Sequence, residues 1–516
     1  MKSSFFRALG LSLTVALLVN ASPVRAASSD YKLGIVLVVD QFRADYLMRF
    51  KERFKGGYRK LLKESAYFPL ADHGLFQNMT CPGHAAVLSG AYPYRHHISM
   101  NIWYDRDQSK REYCVEDNNS KLIGSDGMPK QASGVSPKNF NADTLGDELK
   151  NVDRASRVVS VSLKDRAAVL LGGKRSDYTV WFDDKDCEWV TSQFYGNTLP
   201  DFAKERNKTL ATEKKTKYSW GPFQDISHCS KESLQTPWAV DQTFALALSA
   251  IDQLKLGKGK DTDLLTISLS SHDFLGHHFG PNHESMEAMT IEEDKMIGKF
   301  LEAVSKRLPN GLNDVFVVLT GDHGMPPTKV PTDRLKSENV PEKEYSDVVE
   351  QEMRKHFGAP AGGSWIESMV EFQIYFNRAA LANAGVTATQ AINQIRPRLL
   401  KERYVDSVWS RDDILYDRKS PPGEVGQIMD RTISARSGDL LTVLSPFHYS
   451  DSYAFTHMTH YSYDRYVPLL FFGKSFKPGT YRQIVRVIDI APTLASVLHV
   501  LPPAQSEGRV ITEILR

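Results

Sequence analysis

Five short apolar runs, separated by helical patterns, constrain the fold of this chain more than any other feature. The runs are β-branched and too short for typical helices, and they lie at Gly34–Val39, Val158–Val161, Leu264–Leu269, Val315–Thr320 and Val467–Phe472. Helical patterns between them include Tyr58–Ser65, Thr243–Leu254 and Ser285–Leu308. This alternation predicts an α/β fold with a mostly parallel central sheet and helices on both faces.

The first 26 residues have the pattern of a secretory signal peptide. Lys2 and Arg7 precede the apolar stretch Ala8–Val19. After it, Val24-Arg25-Ala26 offers small residues around a cleavage point. A membrane anchor is the alternative, but this stretch is shorter than the ~20 residues that span a bilayer. We expect cleavage after Ala26 and a periplasmic or secreted protein. No later segment has the length of a transmembrane helix, so we expect no membrane span.

Size and charge limit the possible partners and domains. Residues 1–26 carry three basic and no acidic side chains, so their removal changes the formal charge from +2 to −1. A nearly neutral chain gives no electrostatic reason to expect a nucleic-acid partner. Residues 27–516 exceed the usual single-core limit of ~250–300 residues. We expect one catalytic domain with inserted cap segments at about 105–140, 183–235 and 326–440.

Four cysteines in an exported chain favour two disulfide bonds. They are Cys81, Cys114, Cys187 and Cys229, and the sequence allows three pairings. Proximity along the chain favours Cys81–Cys114 and Cys187–Cys229. A zinc site made of thiolates is the alternative, but no C-x-x-C spacing supports it.

Acidic and imidazole side chains follow three of the predicted strands. Asp40 follows the first run, Asp273 and His277 follow the third, and Asp322 and His323 follow the fourth. Ligands of parallel sheets bind beyond the carboxyl ends of the strands, so these side chains are expected to meet. Mixed carboxylate and imidazole ligands suit zinc. Because Asp273 and His277 are four residues apart, one helical turn places both on the same face.

Further histidines compete for the same role. His457 and His460 precede the last apolar run, while His278 and His283 follow the Asp273 segment closely. Any one of these residues alone would be read as a cap, a turn residue or a hydrogen-bonded histidine. We expect His278, His283 and His460 to support the site or lie at the surface.

The segment Asn78–Gly90 offers a nucleophile. Thr80 precedes a helix-like stretch, whose first backbone amides would face an anion. A hydroxyl beside a metal ion loses its proton more easily and becomes a usable nucleophile. In isolation, Thr80 would be read as a helix N-cap.

Together these motifs resemble those of the alkaline phosphatase superfamily, and in particular the PafA-type alkaline phosphatases. The resemblance runs from residue 34 to about 497. It is carried in order by Val-Val-Asp-Gln at Asp40, Thr-x-Pro-Gly-His-Ala at Thr80, Met-Asn-Ile-Trp-Tyr at Asn101, Leu-Lys-Asp-Arg-Ala-Ala at Lys164–Arg166, Asp-x-x-Gly-His-x-x-Gly-Pro at Asp273 and Gly-Asp-His-Gly at Asp322.

The resemblance implies two zinc ions and a covalent phosphothreonine on Thr80. One zinc would be held by Asp273, His277 and His457, and the other by Asp40, Asp322, His323 and the Thr80 oxygen. Asn101, Lys164 and Arg166 would contact the non-bridging phosphoryl oxygens. One departure concerns His457, because the family usually has Thr-His-Gly where this chain has Thr456-His457-Met458.

The predicted function is an exported, zinc-dependent alkaline phosphatase that hydrolyses small-molecule phosphate monoesters. A phosphodiesterase or nucleotide pyrophosphatase of the same superfamily is the main alternative, although such enzymes lack the Lys/Arg pair. A sulfatase would need Cys-x-Pro-x-Arg, whereas this chain has Cys81-Pro82-Gly83-His84. A zinc-containing binding protein would close its metal with four ligands and leave Thr80 without a purpose. The oligomeric state stays open, with a monomer favoured.

Overall fold

The computed structural model describes residues 30–131, 134–328, 338–360 and 362–516. The predicted signal peptide lies outside the described residues, as do residues 329–337 and 361 of the third predicted insertion. Within the described ranges, no helix combines the length and apolar character needed to cross a bilayer.

The strands are numbered in chain order. They are β1 Leu33–Val39, β2 Ala66–Asp72, β3 Ile102–Asp105, β4 Lys110–Tyr113, β5 Leu122–Ile123, β6 Val158–Ser162, β7 Tyr178–Asp183, β8 Glu188–Ser192, β9 Lys217–Trp220, β10 Phe223–Ser227, β11 Asp263–Leu269, β12 Val315–Gly321, β13 Glu338–Val340, β14 Ile366–Val370, β15 Gln373–Phe376, β16 Val405–Ser410, β17 Leu440–Leu444, β18 His448–Ser450, β19 Tyr466–Phe472, β20 Gly479–Thr480 and β21 Val485–Arg486.

The α-helices follow the same scheme. They are α1 Tyr46–Arg49, α2 Gly57–Glu64, α3 Thr80–Ser89, α4 Pro93–His96, α5 Leu145–Val152, α6 Asp165–Gly172, α7 Asp201–Glu213, α8 Pro237–Leu254, α9 Ser271–Phe279, α10 Glu284–Ser305, α11 Glu342–Phe357, α12 Arg378–Asn383, α13 Ala388–Leu399, α14 Arg411–Leu415, α15 Glu424–Thr432, α16 Ser462–Arg465 and α17 Ile490–Leu498.

The central sheet is parallel at its centre and antiparallel toward its edges. Its strand order is β20-β2-β19-β12-β1-β11-β6-β7-β8-β5, with β21 beside β2. The pairs from β12 to β7 are parallel, whereas β19 is antiparallel to β12 and to β2, and β8 is antiparallel to β7. All five predicted strands are present, and the mostly parallel sheet is confirmed. The sequence pattern did not predict that the last of them, β19, runs antiparallel.

Helices cover both faces of this sheet, as predicted. In β1, Ile35 and Leu37 join a core with side chains from α2, α8 and α10. Val36 and Val38 alternate with them and join a second core with side chains from α3, α5 and α17. Because successive strand residues point to opposite faces and both faces are covered, the strands read as continuous apolar runs.

A smaller antiparallel sheet, β14-β15-β17-β16, packs with α11 and α13 in a third core. Most of it falls within the third predicted insertion. The hairpin of β3 and β4 contacts this sheet through β14. Disulfide bonds join Cys81 to Cys114 and Cys187 to Cys229, so the favoured pairing is confirmed.

The buried carboxylate of Asp294 connects α10 to the start of α2. Asp294 Oδ2 accepts hydrogen bonds of 2.7 Å from the backbone N–H groups of Lys55 and Gly56, and Oδ1 accepts one of 3.2 Å from that of Arg59. The N–H groups of Gly56 and Arg59 belong to the first turn of α2, where N–H groups have no acceptor within the helix, and Lys55 directly precedes that turn. Asp294 therefore satisfies donors that burial would otherwise leave unpaired.

Replacing this carboxylate should destabilise the fold measurably. We expect Asp294→Ala to cost about 3 kcal/mol, because several buried donors lose their acceptor. The matched control is Asp252→Ala, which removes an exposed partner of Arg307 and should cost less than about 1 kcal/mol. Thermal unfolding followed by circular dichroism checks both values, and equal midpoints for the two variants would contradict the assigned role of Asp294.

Candidate active site

The register of the central strands brings the predicted metal ligands together. Val39, the last residue of β1, is level with Leu269 of β11 and with Gly321 of β12. Three strands therefore end side by side. Asp40 directly follows β1, Asp322 directly follows β12, and the segment after β11 opens α9.

The first candidate metal group consists of Asp40, Asp322 and His323, all fully buried. Their ligand atoms lie within 4.8 Å of one another. His323 Nε2 is 3.4 Å from both Asp40 Oδ1 and Asp322 Oδ2. Neither Asp40 Oδ1 nor His323 Nε2 forms a hydrogen bond within the described part of the chain. Buried polar atoms without partners are costly, so this set fits a bound cation.

The second candidate group consists of Asp273, His323 and His457. His457 Nε2 lies 3.7 Å from Asp273 Oδ1, and His277 Nε2 lies 3.2 Å from the same oxygen. Asp273 and His277 occupy successive turns of α9, as the four-residue spacing predicts. His323 thus stands between the two groups, with its ring centroid 3.5 Å from that of His457.

Backbone carbonyls hold the three imidazoles in place. His277 Nδ1 hydrogen-bonds Phe455 O at 2.7 Å, and His457 Nδ1 hydrogen-bonds Asn78 O at 2.7 Å. His323 Nδ1 bonds to Gly324 O at 3.0 Å. In each ring this leaves Nε2 for the site, an arrangement typical of metal-binding histidines. Burial, followed by His323 and His277, also lowers the pKa of His457, which favours the neutral form that binds metal.

His460 belongs to neither group. Its ring stacks on Phe76, with centroids 6.3 Å apart, and lies tilted against Tyr461, with centroids 4.2 Å apart. His278 hydrogen-bonds Gln235 Oε1 at 2.8 Å, and His283 accepts a hydrogen bond at the start of α10. None of these three histidines belongs to either candidate group within the described part of the chain, and of the three only His278 lines the cavity described below.

Lys164 links the two groups. Its Nζ lies 2.5 Å from Asp40 Oδ2 and 2.5 Å from Asp273 Oδ2. Burial by itself would lower the pKa of Lys164, but Asp273 and Asp40 outweigh it and raise that pKa. Burial likewise opposes ionisation of Asp40, yet the ammonium of Lys164 holds its pKa below the usual range. The site thus keeps a cation among carboxylates in the protein interior.

Thr80 begins α3 beside the first group. Gly83 on this helix approaches Asp322 so closely that a Cβ there would lie 2.3 Å from Asp322 O. A cavity of about 600 Å³ opens at this point. The predicted nucleophile Thr80 and two of the predicted phosphate contacts, Asn101 and Arg166, line it. So do three predicted metal ligands, Asp273, His277 and His457, and the aromatic residues Phe274 and Tyr453.

Two predicted phosphate contacts are fixed by neighbouring polar groups. Asn101 Oδ1 accepts a 2.8 Å hydrogen bond from the N–H of Cys81, which leaves its NH2 group as the donor available to an anion. Arg166 Nη1 donates to Tyr113 Oη at 3.3 Å. Burial would lower the pKa of Arg166, but nearby Tyr113 and Asp165 raise it, so the guanidinium stays charged.

Residues 34–453 match the family described as type I phosphodiesterase / nucleotide pyrophosphatase. The chain belongs to this family. The family is part of the alkaline phosphatase superfamily, as the sequence motifs predicted.

Curated relatives cover nearly the whole chain. Alkaline phosphatase PafA of Elizabethkingia meningoseptica is 28% identical over 94% of this chain and 94% of its own length. Alkaline phosphatase PhoV of Synechococcus elongatus is 29% identical over 94% of this chain and 93% of its own. The crystal structure of wild type PafA superposes with a TM-score of 0.86 at 27% identity, covering 94% of this chain and 99% of that one. Murine ectonucleotide pyrophosphatase / phosphodiesterase 5 shares the fold, with a TM-score of 0.55 at 13% identity, 93% of this chain and 99% of that one.

Together these matches identify a phosphate hydrolase of the alkaline phosphatase and nucleotide pyrophosphatase type. They cover phosphatases and phosphodiesterases alike. The distinction between these two activities therefore depends on the site residues of this particular family member.

Sequence reasoning missed two residues of the family motifs. Gln41 Nε2 donates to Asp273 Oδ1 at 2.7 Å, and its backbone N–H donates to Asp322 Oδ1 at 2.9 Å. Its φ of 62° is uncommon for a residue other than glycine and is typical of a constrained functional loop. His84 Nδ1 lies 3.1 Å from Asp322 Oδ2. Gln41 directly follows Asp40, and His84 lies in the motif that begins at Thr80. Their places in these two motifs were the sequence signal that could have identified them.

The position of His457 gives a direct test of the ligand set. We expect His457→Ala to lower the bound divalent metal by about one ion per chain, because Nε2 is lost from a three-ligand site. His460→Ala is the matched control, since His460 is also buried but joins neither group. Mass spectrometry of metal content after gel filtration measures both. Metal loss in His460→Ala, with retention in His457→Ala, would contradict the assignment.

Proposed function

We propose that this protein is an exported, zinc-dependent phosphate monoester hydrolase that acts through a phosphothreonine at Thr80. One observation carries the proposal. The cavity lined by Thr80 is also lined by three predicted metal ligands, Asp273, His277 and His457. Two predicted phosphate contacts, Asn101 and Arg166, line it as well. A nucleophile, cations and anion donors around a single cavity fit attack on a phosphoryl group.

Two zinc ions fit the candidate groups. Asp40, Asp322 and His323 would hold one, together with the Thr80 oxygen, and Asp273, His277 and His457 would hold the other. When bound, zinc supplies Lewis-acid stabilisation of the charge on the nucleophilic and leaving oxygens. Asp40 Oδ1 and His323 Nε2 support the first site, because both are buried and neither forms a hydrogen bond within the described ranges.

The chain's own groups account for the two displacements. Thr80 Oγ1 loses its proton to solvent and forms a bond to phosphorus, while the bond from phosphorus to the leaving oxygen breaks and that oxygen takes up a proton from solvent. Water then attacks the phosphothreonine, the bond from phosphorus to Oγ1 breaks, and Thr80 regains its proton as phosphate leaves. Two in-line displacements retain the configuration at phosphorus.

The preference for monoesters is supported by the cations at the start of α6. A monoester dianion carries ~2 negative charges on three non-bridging oxygens, whereas a diester carries ~1 on two. Arg166 lines the cavity. Lys164 is not among the lining residues, but its Nζ contacts Asp273, which is, and Asp40. Two cations near those oxygens stabilise the more highly charged monoester more strongly.

Export and domain organisation complete the proposal. The two disulfide bonds suit an oxidising compartment, which agrees with a signal peptide at residues 1–26 that is cleaved after Ala26. We propose that residues 27–516 form one catalytic domain, with insertions at about 105–140, 183–235 and 326–440.

A comparison of three matched substrates tests the activity. We expect the metal-loaded protein to hydrolyse an aryl phosphate monoester much faster than the corresponding methyl aryl diester or aryl sulfate. Thr80→Ala should lose the covalent pathway and Thr80→Ser should retain part of it, because the serine keeps the hydroxyl. The intermediate is identified by acid quench and mass spectrometry. Phosphate trapped on another residue would overturn the role of Thr80. A faster diester reaction would overturn the monoester preference and favour the phosphodiesterase.

The double variant Lys164→Ala/Arg166→Ala should change substrate preference. Charge-assisted contacts are each worth roughly 1.5–3 kcal/mol, so removing both should slow the monoester by orders of magnitude. The diester should lose much less because it presents less charge. The measurement is kcat/KM for both substrates in the wild type and the double variant, with Lys150→Ala as a control that removes a lysine paired with Asp177. An equal fall for both substrates would leave the monoester preference without its physical basis.

A further inference from the structure

The hairpin of β3 and β4 begins and ends beside the candidate site. Asn101 directly precedes β3, and Cys114 directly follows β4. The N–H of Cys114 donates to Asn101 O at 2.9 Å, and Ile102 pairs with Tyr113 in the first rung of the hairpin. Asn101 and Cys114 thus form the base of one closed hairpin.

A covalent bond ties this base to the helix that carries the nucleophile. Cys81 follows Thr80 in α3 and is bonded to Cys114. Both cysteines are fully buried, at 0% and 1% exposure. The N–H of Cys81 also donates to Asn101 Oδ1 at 2.8 Å. The disulfide and this hydrogen bond together fix the Asn101 amide relative to the residue next to Thr80.

The other strand of the hairpin reaches the second phosphate contact. Tyr113, the last residue of β4, donates from its hydroxyl to Asp165 Oδ1 at 2.6 Å. The same hydroxyl accepts a hydrogen bond from Arg166 Nη1 at 3.3 Å. Tyr113 stands directly before Cys114, so the contact with Arg166 is one residue from the cross-link.

Contacts with the smaller sheet hold the rest of the hairpin. Arg111 Nη2 donates to Met369 O at 2.7 Å, and the Tyr104 hydroxyl donates to Glu367 Oε1 at 3.0 Å. The guanidinium of Arg436 lies 4.6 Å from the ring centroid of Trp103. Both strands of the hairpin therefore contact residues outside it.

We propose that the Cys81–Cys114 disulfide and Tyr113 are positioning groups that set Asn101 and Arg166 relative to Thr80. This inference rests on the proposed function. A phosphoryl group in transfer must meet nucleophile and donors within a few tenths of an ångström, and displacement of about 1 Å can cost ~100-fold in rate. A single hairpin, bonded to the nucleophile helix, carries one donor and orients the other.

The second disulfide provides a matched control for the first. The cysteines of Cys81–Cys114 are 33 residues apart in sequence, and those of Cys187–Cys229 are 42 residues apart. Loop-closure entropy depends only weakly on loop length, so both bonds should contribute similarly to stability. Only the first adjoins Thr80 and Asn101.

The first experiment compares Cys81→Ser/Cys114→Ser with Cys187→Ser/Cys229→Ser. At a temperature where circular dichroism shows both folded, we expect kcat/KM for the aryl monoester to fall by about 10- to 100-fold in the former. In the control it should stay within about threefold of the wild type. Equal losses in the two variants would reduce the first disulfide to a general stabilising role and overturn the inference.

The second experiment tests the positioning role of Tyr113 and leaves both disulfides intact, so its result does not depend on whether the cysteine variant folds. Tyr113→Phe is measured in the wild type and in an Arg166→Ala background. We expect a several-fold loss of monoester kcat/KM in the wild type, a smaller loss for the diester, and little further loss once Arg166 is gone. Tyr195→Phe is the control. The Tyr195 hydroxyl donates a hydrogen bond of 3.0 Å to Gly173 O, and Tyr195 does not line the cavity. Equal losses in both backgrounds would overturn the role of Tyr113.

The two proposals fail in different ways. A wild type that cleaves only diesters would overturn the monoester proposal. The comparison of Tyr113→Phe in the wild type and in Arg166→Ala, measured with the diester, would still test whether Tyr113 acts through Arg166. A wild type that prefers monoesters, with no coupling between Tyr113 and Arg166 and with equal effects of the two cysteine pairs, would overturn the positioning role alone.

Discussion

Asp40 and Asp273 are buried with the ammonium of Lys164 between them, and the rest of the structure depends on this arrangement. Moving such charges out of water costs several kcal/mol per ion unless partners are fixed in good geometry. Lys164 contacts one oxygen of each carboxylate at 2.5 Å. The remaining oxygens face histidines or the Gln41 amide. A site of this kind requires a rigid scaffold.

The central sheet provides that scaffold. β1 pairs in parallel with β11 and β12 along its whole length, so the three strands end level and deliver their following residues to the same place. Apolar side chains cover both faces, and no described residue of β1 is exposed. The free energy gained from burying these strands offsets the cost of holding polar groups at their ends. Backbone carbonyls then orient each imidazole, so that its Nε2 is left for the site.

Much of this could be predicted because it depends on local patterns. The five strands follow from short β-branched runs, and the pairing of Asp273 with His277 follows from their spacing on a helix. Other features have no local signal. β19 pairs antiparallel with β12 and β2, which are distant from it in sequence, so no local pattern indicates its direction. His323 approaches both metal groups, a contact that the sequence motifs assigned to only one of them. Gln41 and the hairpin contact between Tyr113 and Arg166 became visible only in three dimensions.

The sequence by itself determined the fold class, the order of the site segments and the types of side chain that the chemistry needs. It could do so because helix and strand periodicity, strand length and motif spacing are properties of neighbouring residues. Only the tertiary structure decided which ligand atoms share a group, which of the cysteines pair, and that His457 rather than His460 lies beside Asp273. These outcomes depend on register between strands and on packing between segments that are tens to hundreds of residues apart. A side chain's partners there are set by distance in space, which local sequence does not encode.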